Sequence, residues 1–456
     1  MQASTLPRPD VVSPPEHRAL ARDVFRELVE IDTTDTTGDV TAAAEAVARR
    51  LRDAGFPEGD VQVVGPHPRK GNLVARLRGT GARRPLLLLA HLDVVDADPA
   101  EWTTPPFAFV ERDGFFYGRG TTDQKAMASI WVANLIRLRR EGFVPERDLI
   151  LALTADEEGG DHNGARWLTG ERRELVDAAF GINEGGYGRI KQGRRISNTV
   201  QASEKVYADF ALEAQGTGGH SSLPTPDNAI YHLAAALTRV AAHRFPAQLG
   251  EVSRAFFARM ADIESGQAAD DMRAVLRDPP DPDALARLST LPQYNGMLRT
   301  TWAATRLDAG QSNNTIPQAA RAVVNCRLLP GITPEEVQRT LVEVIADERV
   351  EVRPLIAAKP SPPSPLVPEV LGPIERITAE MWPGVPVVPT MGIGATDSLY
   401  FRQAGIPMYG VSGIFLDVDD VRAHCPDERI LVRSYYEGQE FLYRLVRALA
   451  GTAPPP

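Results

Sequence analysis

The run PLLLLA at residues 85–90, followed at once by His91 and Asp93, constrains this chain more than any other feature. Unbroken apolar residues of this length suit a strand covered on both faces, the kind found in parallel sheets flanked by helices. The neighbouring segments agree. Residues 21–29 carry apolar side chains at 21, 24, 25 and 28, and 39–54 read as a second helix closed by Gly55. Short strands are predicted at 61–64 and 72–77, a long helix at 126–140, and buried strands at 148–154 and 180–183. Helices alternating with apolar strands predict an α/β domain with a mainly parallel sheet.

The pattern changes near residue 203. Residues 206–214 alternate like a half-exposed strand, and the next helix has Ile230, Leu233, Ala234, Leu237 and Val240 on one face. Strands follow at 300–308 and 320–328, then a helix at 333–346 opened by Thr, Pro and Glu, then a strand at 350–355. This order describes a small α+β sandwich, with a helical insertion at about 247–298. A Pro-rich connector, AKPSPPSPLV at 358–367, precedes a helix near 368–381 and strands near Val387 and Met408. The predicted organisation is one α/β domain, 1–202 and 358–456, interrupted by a smaller inserted domain at 203–357. The closing Pro454 to Pro456 reads as a tail. A chain of 456 residues is too long for one core, as two domains require.

Charge and cysteine usage remove several classes of function. Net charge is −10, and no basic stripe with interleaved aromatics is present, which argues against nucleic acid. No apolar stretch is long enough to span a membrane. Two cysteines, Cys326 and Cys425, cannot build a disulfide framework or a Cys-rich zinc site. Any metal must therefore be held by His and carboxylates, and Cys425 reads as a small packing residue. The first twenty residues contain no apolar signal region. The chain reads as cytoplasmic, or as periplasmic or secreted if a leader was removed before residue 1.

Chemistry-bearing residues recur at strand ends, where open α/β sheets bind ligands. His91 ends the first apolar strand, and Asp93 is placed to fix its imidazole; singly, the pair is a weak signal, and a plain polar loop is the commoner reading. Asp123 opens the 126–140 helix, either as an N-cap or as a carboxylate bridging two metals. Asp156, Glu157 and Glu158 end the strand 148–154, a costly cluster unless something neutralises it. Glu184 ends another strand before Gly-Gly, and His424 lies near the C-terminus in AHCPDER. His220 sits in GGHSSLP at the end of the inserted domain's first strand, and singly reads as a loop His at a turn. One ligand at one strand end is ordinary; two His and several acids at successive ends suit zinc, cobalt or manganese.

The pieces LLLLAHLDVV, EWTTPPF, DGFFYGRGTTDQK, LTADEEGG, INEGG, GGHSSLP, NTIP and AHCPDER run in order over nearly the whole chain. Together they resemble the aminoacylase, carboxypeptidase G and acetylornithine deacetylase family of dinuclear zinc peptidases. The lid insertion resembles the carboxypeptidase S-like branch. The resemblance implies that His91, Asp123 and Glu184 bind one metal, and that Glu158, His424 and the shared Asp123 bind the other. Asp93 would orient His91, and Glu157 would be the general base. His220 would come from the lid, in this family often to a partner subunit's site, which implies a homodimer. Asn314 and Arg327 would contact substrate, and the Gly392 to Gly394 loop would meet its carboxylate. Gln124, Asn325 and Cys425 depart from the family pattern without removing a ligand.

The implied reaction is hydrolysis of an amide next to a free carboxylate, through a metal-bridged water deprotonated by Glu157. A carboxypeptidase or dipeptidase acting on small peptides and a deacylase acting on N-acyl amino acids share this bond. A binding protein on the same fold would have lost a ligand or the base, and none is lost.

Overall fold

Residues 11–451 are described by a computed structural model; the Pro454 to Pro456 tail lies outside them. Two units emerge. The larger comprises the chain up to Ala202, Ser364–Thr390 and from Thr396 onward; the smaller is Ser203–Pro363 with Met391–Ala395. The smaller unit thus runs six residues beyond the expected boundary at 357, into the Pro-rich connector. It also takes in 391–395, whose Gly392 carbonyl accepts the Lys205 amide at 2.9 Å.

In the larger unit the buried strands Arg147–Thr154, Arg83–His91, Phe180–Asn183 and Met408–Gly410 lie side by side and parallel. Antiparallel strands extend this centre: Asn72–Leu77 and Val61–Val64 on one side, Arg194–Glu204 and Gly188–Lys191 on the other. The 10-stranded sheet is therefore mixed, parallel at its middle and largely antiparallel at its flanks. Leu87 and Leu89 face the helices Gly164–Glu171 and Ser398–Gln403, packing with Leu168 and Phe401. The helix Lys125–Arg140 buries residues 125 to 138, and its Trp131 Nε1 donates to the Leu89 carbonyl at 3.0 Å. A helix covered all round needs apolar residues on every face, which its sequence supplies. The helices Pro15–Glu30 and Val432–Ala450 pack on it, with Phe25 stacked on Tyr435 at 4.7 Å. Each such buried side chain contributes about 1.5–3 kcal/mol. Among the described residues no helix is long and apolar enough to cross a membrane.

The smaller unit has the antiparallel strand order Thr301–Ala309, Ala319–Leu328, Val206–Gln215, Val350–Pro354. Alternate residues Phe210, Leu212, Val324 and Cys326 bury against Leu233 of the helix Ala229–Ala242 and Leu341 of Pro334–Ile345. Thr333 and Glu336 cap the latter reciprocally. The insertion is four helices: Glu251–Ile263, Gln267–Ala274, Pro282–Leu288 and Pro292–Leu298.

Candidate active site

Parallel pairing puts three strand ends side by side. His91 lies opposite Thr154, and Leu88 opposite Ile182, so His91, the 155–160 loop and Glu184 emerge at one edge. Asp123 and His424 arrive there on loops. His91 Nε2 stands 3.1 Å from Asp123 Oδ1 and 3.7 Å from Glu184 Oε1. His424 Nε2 stands 3.2 Å from Asp123 Oδ2 and 2.8 Å from Glu158 Oε1. Asp123 thus turns one oxygen toward each imidazole. Two triads result, His91 with Asp123 and Glu184, and Asp123 with Glu158 and His424, each with its donor atoms within 4.8 Å. Three carboxylates and two imidazoles form a donor set suited to borderline divalent metals.

Concentrated acid shapes the electrostatics. Burial, then the Glu184 charge, pushes the Glu157 carboxyl well above the usual range. Burial raises Glu184 to about 8 and Asp93 to about 6. Burial disfavours a charged His91, but Glu184, Asp123 and Asp93 outweigh it and hold its pKa well above the ordinary imidazole value. Hydrogen bonds to Asp123 and Glu158 raise His424 to about 10. Burial opposes ionisation of Asp123, but the two imidazoles hold its carboxyl below the usual range. An acid-rich pocket of this kind calls for cations.

The structure adds detail to four of the sequence readings. Asp123 does not cap the helix: the cap position is Gln124, with no side-chain cap bond. Gln124 instead donates Nε2 to Glu184 Oε2 at 2.6 Å and lies 3.1 Å from the Tyr187 hydroxyl. The His91 Nδ1 lies 2.9 Å from the backbone carbonyl of Asp93, while the carboxylate is 3.7 Å away. That carbonyl accepts from Nδ1–H and so turns Nε2 toward Asp123 and Glu184, and the Asp93 carboxylate accepts the Glu158 amide at 2.9 Å. Asp156 is neutralised by Lys70, at 2.5 Å, so only Glu157 and Glu158 of the acidic run face the site chemistry. Cys425 is exposed rather than packed.

One residue that positions the site went unread. Glu428 is wholly buried and accepts from Arg119 at 2.7 Å and from the amides of Gly120, Thr122 and Asp123 at 3.1, 2.6 and 3.0 Å. It clamps the loop that carries Asp123 to the segment that carries His424. Its trace in the sequence is an Arg in GRGTTDQK and a Glu in AHCPDER, opposite charges in two otherwise separate motifs.

His220, Asn314, Arg327, Gly392 and Gly394 all belong to the smaller unit. His220 pairs with Thr315 in a two-stranded ribbon, and Ser221 donates its amide to the Asn314 carbonyl at 3.1 Å, so His220 and Asn314 are neighbours. His220 Nδ1 lies 2.8 Å from Ser222 Oγ. Arg327 lies over the Tyr207 ring at 4.6 Å, and Asn325 donates to Asp209 at 2.7 Å. Gly394 has open space where a Cβ would stand.

The model of peptidase family M20/M25/M40 matches residues 87–448. The chain belongs to this family. It is 31% identical over 375 residues to the N-fatty-acyl-amino acid synthase/hydrolase PM20D1 of Homo sapiens, covering 80% of this chain and 74% of that protein. It is 28% identical over 376 residues to the probable carboxypeptidase S-like 2 of Dictyostelium discoideum, covering 80% and 71%. The fold matches the M20 family metallo-carboxypeptidase Sso-CP2 from Sulfolobus solfataricus with TM-score 0.69 and 17% identity, over 93% and 98% of the two chains. This M20 chain is a metal-dependent hydrolase of amide bonds, and its relatives include the carboxypeptidase S-like branch that the lid insertion implied.

Proposed function

We propose that this M20 enzyme hydrolyses the amide bond of small substrates that end in a free carboxylate, as a carboxypeptidase or dipeptidase. The observation that carries the reading is Asp123, with one oxygen toward His91 and the other toward His424. His91, Asp123 and Glu184 would hold one divalent ion, and Asp123, Glu158 and His424 the other, zinc first and cobalt or manganese as substitutes. When bound, such ions polarise the amide carbonyl and acidify water. Glu157 takes a proton from the attacking water and returns it to the leaving amine; its raised pKa suits both acts. Asp93 holds Glu158 through its amide and His91 through its carbonyl. His220 donates to the oxyanion, supported by Ser222. Arg327, with Asn314 and the Gly392 to Gly394 loop, grips the carboxylate. A homodimer, with His220 serving the partner's site, is the assembly that the family resemblance implies.

The name of the human relative favours a second reading, hydrolysis of N-acyl amino acids. A panel of dipeptides and N-acyl amino acids, assayed with zinc, cobalt or manganese and after chelation, tests both. Dipeptide cleavage that stops on chelation supports the first reading; cleavage of N-acyl amino acids alone replaces it with the second. Hydrolysis indifferent to chelation refutes the metal chemistry.

A further inference from the structure

The smaller unit holds a group of basic residues that the proposed reaction does not use. His243 and Arg244 follow the helix Ala229–Ala242, and Arg299 follows the last insertion helix, Pro292–Leu298. All three line one cavity of about 180 Å3, with Phe245 and Trp302 as its aromatic wall. Among the described residues no carboxylate lines it, although the chain carries a net charge of −10. Burial, then the Arg244 charge, holds the Arg299 pKa below its ordinary value. Arg299 Nε and His243 Nε2 are both buried and, among the described residues, have no hydrogen-bond partner. Buried polar atoms are nearly always paired, so two orphans in one acid-free cavity point to a ligand that accepts from them.

The donors are held in place. Arg299 Nη2 donates to Ser289 Oγ at 2.9 Å, and Ser289 donates in turn to the Leu285 carbonyl at 2.6 Å. The His243 ring lies 5.1 Å from the Phe245 ring and 5.1 Å from the Trp302 ring. Trp302 Nε1 donates to the Val240 carbonyl at 2.9 Å. A ligand would therefore order little on binding.

We propose that this cavity binds a phosphate group, free or as the ester of a small molecule. A carboxylate presents two oxygens in one plane, which a single guanidinium fork satisfies. Here an imidazole and two guanidinium groups come from two separate segments, a spread that suits the three or more oxygens of a phosphate. Thr301 also lines the cavity; its hydroxyl accepts from Lys205 Nζ at 3.1 Å and keeps its own hydrogen to donate. Arg299 also braces the insertion through Ser289, and a brace alone would bind no anion.

The test is a titration of the full-length, metal-loaded enzyme with inorganic phosphate, followed by tryptophan fluorescence. A saturable change is expected that Trp302→Phe lacks. Arg244→Ala should weaken it about tenfold or more, the value of one charge-assisted hydrogen bond. Arg299→Gln should do the same; if that variant does not fold, Arg244, which is exposed, still decides the matter. Phenyl phosphate and acetate are titrated alongside. Tighter binding of phenyl phosphate than of phosphate makes an ester the ligand, and equal or weaker binding makes it free phosphate. Equal binding of acetate and phosphate, or no response, overturns the site. A response unchanged in Trp302→Phe and Arg244→Ala belongs to the metal ions and overturns it too.

Discussion

Glu428→Gln removes one charge and nothing else of size, yet it should be among the most damaging single changes in the larger unit. Arg119 is only 3% exposed and has Glu428 as its ion-pair partner. Leaving such a charge buried without its counter-ion costs about 3–5 kcal/mol. The backbone gives a similar magnitude. Glu428 Oε1 accepts the Thr122 and Asp123 amides, and Oε2 accepts Arg119 and the Gly120 amide. A glutamine keeps one oxygen and so strands two donors, at about 1–3 kcal/mol each. The two estimates describe the same loss and are not summed. Calorimetry on metal-free protein reads it without a contribution from bound ions. The same loop carries Asp123, so metal affinity by chelator competition should fall about 10–100-fold. Arg119→Met combined with Glu428→Gln should cost less than the sum of the singles by roughly 0.5–3 kcal/mol. A Glu428→Gln protein within 1 kcal/mol of wild type, or strict additivity, refutes the clamp.

Three further outcomes are expected. Glu157→Gln should lower kcat by about 10²–10⁴ while metal content by elemental analysis stays at the wild-type level; loss of metal instead would make Glu157 a ligand. His220→Ala should lower kcat by about 10²–10³ with metal retained, and wild-type turnover would remove the lid from catalysis. In the metal-free protein Glu184 titrates at about 8 and His424 at about 10, so both hold protons at pH 7 and must lose them to bind metal. Metal affinity should therefore rise with pH between 6 and 8, with protons released in calorimetry run in two buffers; a flat profile refutes these assignments.

The sequence revealed the parts of the site that follow from local rules. His91 and Glu184 could be placed because each ends an apolar run, and a buried strand announces its own end. The lid helix at 334–345 was equally open to reading, because Thr333 and Glu336 form a local cap. What escaped depends on partners far along the chain. Whether Asp156 meets a metal or Lys70 is decided by an ion pair across 86 positions of sequence, since 156 − 70 = 86. Glu428 looked like any acid in a polar loop until Arg119 stood beside it. The hairpin joining Gly188–Lys191 to Arg194–Glu204 was missed for a different reason. Its strands are polar, and the one available cue was the turn Gln192-Gly193, where both residues have positive φ, 50° and 72°. The helix Val432–Ala450 also went unread, although its apolar face packs on Lys125–Arg140.

The clamp also sets an order on events during synthesis. Asp123 leaves the ribosome 301 residues before His424, since 424 − 123 = 301. At about 5–20 residues per second, that interval is roughly 15–60 s. From Glu184 onward, the nascent chain holds His91, Asp123 and Glu184 but has neither His424 nor the acid that seats the Asp123 loop. On the proposed ligand assignment, one ion position would be available early and the other only after the chain has nearly finished, with the whole smaller unit made in between. On the same assignment, metal loading would be a late checkpoint: a chain truncated before His424 would carry half a centre on an unseated loop.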